Sequence, residues 1–168
     1  MLTEKKIIEL FEQLNTELAT ASEIGEVGIV GGAVMCLVYK ARPSTRDVDA
    51  IFEPTKTIRA LVKKIAQKEK LPEDWLNDGA KAFLTDNFKR QSVIELSHLR
   101  VWAPEPRYML AMKCLSARWD SHDKDDVIFL LKFLKIKEPK IVFKIIEGFY
   151  PKNQIPIKTK FFIEELLD

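Results

Sequence analysis

Cysteine is nearly absent from this chain of 168 residues: there are two, Cys36 and Cys114, each alone among apolar neighbours. Neither belongs to a CxxC pair or to a Cys/His set with ligand spacing, which argues against a structural zinc site and gives no basis for a disulfide. Both read as buried free thiols. Charge of one sign is lacking too. With 27 basic and 25 acidic residues the net charge is +2, which does not mark a dedicated nucleic-acid binder yet leaves room for a local basic face. Long hydrophobic runs are missing: none approaches the ~18–20 residues needed to span a bilayer. The first residues, MLTEKKIIELFEQL, mix charge with apolar side chains and show no signal-peptide core, so the expectation is a cytoplasmic protein with no membrane partner. Internal repeats and low-complexity tracts are absent as well.

What is present is a globular composition, 46% hydrophobic and 31% charged, with ten Phe and three Trp to fill a core. Its size suits one domain, or a core with a helical extension. Residues 3–20 carry Ile7, Leu10, Phe11, Leu14 and Leu18 at spacings of three and four, an amphipathic helix with Thr3 as N-cap. Val27–Val30 reads as a buried strand running into a tight turn at Gly31 and Gly32, followed by an apolar helix over Ala33–Tyr39. After a polar loop, Arg42–Arg46, the alternation of Asp47–Phe52 predicts a second strand. A helix then runs from Thr55 or Thr57 to about Lys68, and 71–79 is loop-like. Ser92–Leu96 and Leu99–Ala103 read as two short strands in a hairpin or meander. Pro106 suits the first turn of an apolar helix over Arg107–Trp119. Further helices are expected over Lys124–Leu134 (with Asp123 as cap), from Pro139 to about Gly148, and over Lys158–Leu167. The order predicts an α+β core, residues 1–105, with a small mixed sheet flanked by helices, and a helical C-terminal portion, 106–168, packed on it or continuous with it.

The chemistry concentrates in one stretch. Asp47 and Asp49 are one residue apart on a predicted strand, so their carboxylates share a face. Two neighbouring carboxylates repel, and a divalent cation relieves that repulsion; magnesium in particular takes one or two carboxylates and completes its shell with water and phosphate oxygens. Only 15 residues earlier, Gly31 and Gly32 close a strand ahead of a helix, a turn whose backbone N–H groups can approach phosphates without a Cβ in the way. Standing alone, the Asp pair or the glycine turn is commonplace; together and in this order they answer one ligand, a metal-bound triphosphate. Lys113 lies in an apolar helix, where its ammonium must snorkel or meet an anion, either a phosphate or a structural carboxylate. His98 reads as an ordinary strand residue, and Trp75, Trp102 and Trp119 as core. Lys132–Lys144 interleaves lysine with apolar residues, read as an amphipathic helix with a solvated face or as an RNA-contacting strip.

GGAVMCLVY, RPSTRDVDAIF and MKCLSARWDSHDKDDVIFLL, in that order from Val27 to Leu134, resemble the motifs of the nucleotidyltransferase superfamily. The nearest likeness is to its minimal bacterial branch, which includes the AbiEii-type abortive-infection toxins. The resemblance implies the nucleotidyltransferase fold and transfer of a nucleoside monophosphate from an NTP to an acceptor hydroxyl, with magnesium (or manganese) as cofactor. It implies that Asp47 and Asp49 ligate the metal and that Gly31 and Gly32 contact the phosphates. Ser44, Thr45, Arg46 and Arg118 would contact the nucleotide, and Lys113 would meet a phosphate charge. The third carboxylate falls to Glu95 as general base, with Glu105 and Asp86 as competitors. RNA, tRNA or protein would be the acceptor, and an antitoxin a partner in a toxin–antitoxin setting. A non-catalytic nucleotide-binding or interaction protein, or an antibiotic-modifying enzyme, is the alternative that the same fold permits. Where many members carry Gly-Ser, this chain has Gly32 and so lacks one hydroxyl.

Overall fold

The computed structural model describes residues 1–117 and 122–168. They form two compact units, one of Met1–Leu84 with Arg90–Ala103, the other of Thr85–Lys89 with Pro104–Asp168.

The first unit is the α+β one. A two-residue strand β1 (Leu2–Thr3) leads into helix α1 (Glu4–Thr20), where the Thr3 hydroxyl caps the helix by accepting the Lys6 N–H at 3.2 Å. The residues that α1 buries are Ile7, Leu10, Phe11, Leu14 and Leu18, the five that the spacing selects. Strand β2 (Gly25–Val30) follows, then helix α2 (Gly31–Leu37), strands β3 (Ser44–Thr45) and β4 (Val48–Glu53), and helix α3 (Thr55–Glu69). The glycine pair is therefore the opening of α2, not a turn ahead of it. Helix α3 ends on Lys70 in the left-handed conformation and buries Ile58, Val62, Ile65 and Ala66. It packs along α1, with ion pairs from Lys6 to Glu69 (2.5 Å) and from Lys64 to Glu17 (2.6 Å) across the seam.

Strand β5 (Leu76–Asn77) lies in the stretch read as a loop, and β6 (Arg90–Glu95) and β7 (Leu99–Pro104) complete a five-stranded sheet of order β5-β4-β2-β7-β6. The sheet is mixed. β2 runs antiparallel to β4 and parallel to β7, and β4 runs parallel to β5. Trp75, buried just before β5, anchors that edge: its Nε1 donates to the Val62 carbonyl at 3.1 Å, and its own carbonyl accepts the Val48 N–H at 2.7 Å. Trp102 is buried as expected, its ring lying where a side chain on Gly28 would stand. A second, two-stranded sheet pairs β1 antiparallel with β3, setting Leu2 opposite Thr45 and Thr3 opposite Ser44.

The second unit is helical: α4 (Pro106–Ser116), α5 (His122–Phe133), α6 (Pro139–Phe149) and α7 (Ile157–Leu167). Helix α4 packs against the other three, which is why so much of it is apolar. Pro106 occupies its first turn, where the missing N–H is no loss. The Tyr108 ring stacks on Tyr150 and meets Phe149 edge-on, and its hydroxyl joins Tyr150 Oη at 3.1 Å and accepts the Thr85 N–H at 3.0 Å. Asp123 falls inside the first turn of α5 rather than at its cap. Trp119 and Arg118 lie outside the described residues. Among those described, no helix is long and apolar enough to cross a membrane.

Candidate functional site

Gly31 and Asp49 meet in the first unit. Antiparallel pairing sets Asp49 opposite Val30, the last residue of β2, so the chain enters Gly31 beside the Asp49 carboxylate. Gly31 has φ +64°, a conformation that resists any side chain, and a Cβ there would stand 3.2 Å from Asp49 Oδ2. At Gly32 a Cβ would come within 2.6 Å of Thr45 Oγ1 and 3.3 Å of the Arg42 guanidinium. Glycine at these two positions lets one backbone corner approach both a carboxylate and a cation.

Strand β4 begins at Val48, so Asp47 stands one residue ahead of it rather than inside it. Val48, Ala50 and Phe52 are buried, whereas Asp49 and Asp47, in the opposite phase, are half-covered. Burial raises the pKa of Asp47; the neighbouring Arg46 charge offsets part of this and the Asp74 carboxylate adds to it. Asp74 is brought up because β5 runs beside β4, pairing Asn77 with Asp49.

The loop between α2 and β4 is held from two sides. Thr45 is buried, and its hydroxyl donates to the Asp47 carbonyl at 3.2 Å, so it shapes the bend that carries the aspartates and has its donor already engaged. Ser44 is half-buried opposite Thr3, and Arg46 is exposed. Arg42, read from sequence only as part of a polar loop, is the cation against Gly32. Nothing in its spacing distinguishes it from Arg46; only the folding back of the loop does.

Glu95 is not brought to the pair. It ends β6, the far edge of the sheet, next to a turn in which the Leu96 N–H donates to the Leu99 carbonyl at 2.8 Å. Leu99 pairs with Gly25 at the start of β2, whereas Asp49 pairs with Val30 at its end. Five strand residues at ~3.4 Å each, about 17 Å, part the two ends even before the width of the sheet is added. Glu95 accepts a hydrogen bond from the Ser92 hydroxyl at 3.4 Å. Its competitors have other surroundings: Glu105 accepts the Lys89 N–H at 2.8 Å, and Asp86 is exposed. Among the described residues no group of three or more His, Cys, Asp or Glu is arranged to hold a metal ion.

Lys113 belongs to the second unit. Its ammonium is buried, 2.8 Å from Asp126 and 3.0 Å from Asp123, so α4 and α5 are tied by one cation between two carboxylates.

A family model described as a nucleotidyltransferase of unknown function (DUF6036) matches residues 5–137. The chain belongs to that family. The match covers the whole span of the sequence motifs, and the mixed sheet with its flanking helices is the α+β architecture expected of a nucleotidyltransferase. Neither the curated proteins nor the solved structures contain a significant match to the chain. For a member of this family, two carboxylates on one bend form a donor set suited to magnesium, which needs no more than one or two protein carboxylates.

Proposed function

We propose that this chain is a magnesium-dependent nucleotidyltransferase that moves a nucleoside monophosphate from an NTP to an acceptor hydroxyl. The observation carrying this reading is the juxtaposition of Gly31 with Asp49: a backbone corner with no Cβ, where an added Cβ would stand 3.2 Å from a carboxylate oxygen on the adjoining strand. The corner offers backbone N–H groups to phosphates, and the Asp47–Asp49 pair offers the carboxylates that would hold the metal. When bound, the metal would neutralise phosphate charge during attack on the α-phosphorus.

The chain's own residues account for the rest. Gly31 and Gly32 admit the triphosphate close to the backbone. Arg42, against Gly32, and the exposed Arg46 supply positive charge for the phosphate oxygens. Ser44 has a hydroxyl to donate, whereas Thr45 keeps the loop in shape. In the reaction the acceptor oxygen bonds to the α-phosphorus, the bond to the β-phosphate oxygen breaks, pyrophosphate departs and the hydroxyl proton is lost. Preorganised donors and cations stabilise the charge that develops.

The second reading, a nucleotide-binding protein without transfer chemistry, draws on the lack of a three-carboxylate cluster among the described residues. Incubation with α-labelled NTPs and separate pools of cellular RNA, protein and aminoglycosides tests the choice. Label passing to an acceptor, with pyrophosphate released and Asp49→Asn inactive, supports transfer; tight binding with no label moved in any pool supports the second reading. Membership of the abortive-infection branch, with a cytoplasmic antitoxin as partner, is part of the same proposal. It predicts growth arrest on expression that Asp49→Asn abolishes, and harmless expression of the wild type would refute it.

A further inference from the structure

We propose that the outer side of α5–α6 is a docking surface for single-stranded RNA. The inference deepens the reading above, since that RNA would be the acceptor, and it rests on that reading only for this link. Residues 132–144 contain five lysines, Lys132, Lys135, Lys137, Lys140 and Lys144, against one acidic residue, Glu138. All five are exposed, and among the described residues none of them has an ion-pair partner.

The fold keeps these charges outward. Helix α6 buries Val142, Ile145 and Ile146, which leaves Lys140 and Lys144, four apart, together on the opposite side. The turn between the helices is closed by the Ile136 N–H to the Leu131 carbonyl at 2.9 Å and the Lys135 N–H to the Lys132 carbonyl at 3.1 Å. Lys135 takes the left-handed position in that turn, φ 57°, where glycine would be unstrained. The strip is thus fixed in place at its sharpest bend.

A polyanion is the complement of such a strip. Phe133, 52% exposed with its ring stacked on Phe129, lies between Lys132 and Lys135 in the chain and gives a flat apolar face. Lysines that follow a phosphate backbone beside an aromatic on which a base can stack are the parts of a sequence-tolerant single-strand binder. Unstacked bases of this kind are displayed by RNA loops and ends. Lysine, a point charge without the planar fork of arginine, suits phosphate and carries no base code.

The test is fluorescence anisotropy of a labelled single-stranded RNA with the full chain, without NTP, over a salt series. Five phosphate contacts at ~0.7 each predict log K falling with log salt at a slope near −3.5. The triple variant Lys137→Gln, Lys140→Gln, Lys144→Gln should lower affinity roughly 100-fold at 0.1 M salt and flatten the slope by about 2. Phe133→Ala should weaken binding roughly tenfold without changing the slope. Unchanged melting temperatures would show that the variants fold. Wild-type affinity in the triple variant would overturn the proposal, as would binding to phosphatidylserine vesicles in place of RNA, or tighter binding of single-stranded DNA of the same sequence. RNA binding that follows these expectations in a protein indifferent to magnesium and NTP would sink the transferase reading alone, and a nucleotide response without RNA binding would sink this one alone.

Discussion

At the scale of single residues, the account rests on side chains that are missing as much as on those present. A methyl group at Gly31 meets both an unfavourable φ and the Asp49 carboxylate, so Gly31→Ala should cost about 1–2 kcal/mol from the left-handed backbone, read by chemical denaturation. It should also weaken nucleotide binding by moving Asp49. An alanine variant as stable as wild type would mean that this corner is not held as described. The thiols give a separate check on burial. Desolvation pushes Cys114 up to about 12 and raises Cys36 as well, and both are buried. Neither should therefore react with a thiol reagent at neutral pH until denaturant is added, when both should. Fast labelling of one thiol in the native protein would contradict the packing of α2 or α4.

At the scale of elements, the join between α4 and α5 is the most sensitive. Lys113→Ala leaves Asp126, itself buried, without its cation; loss of one partner of such a pair costs about 3–5 kcal/mol. Denaturant titration should show that loss, and a change below about 1 kcal/mol would mean that other contacts hold the helices. The elements also show what the sequence can reveal. α1 was legible down to each buried residue because one face of a helix repeats at a fixed period. Strands β1, β3 and β5, two residues each, were not, because their identity lies in the partner and not in the segment. The nearness of Asp74 to Asp47 follows from β5 and was hidden with it. Arg42 escaped notice for a similar reason: loop conformation, not spacing, sets it beside Gly32. Strand alternation, a local rule, placed Asp49 on a strand but left Asp47 one residue ahead of it, and the glycine pair read as a turn is the opening of α2.

At the scale of the whole molecule, sheet order decides which carboxylates can work together. The sequence shows that Glu95 lies on a strand, but not at which end of the sheet it finishes. Parallel pairing of β7 with β2, and the turn back into β6, put it at the end remote from Asp49. Glu95→Gln should accordingly leave nucleotide binding and transfer at wild-type levels, and an activity loss of tenfold or more in a folded variant would restore it as a base. Whether Asp47, Asp49 and the glycine corner form a magnesium–NTP site is decided by melting temperature. Wild type and Asp49→Asn would be titrated with each of the four NTPs, with and without magnesium. The account predicts a magnesium-dependent rise with at least one NTP in wild type and none in Asp49→Asn; no rise with any nucleotide, or an equal rise in both proteins, would contradict it.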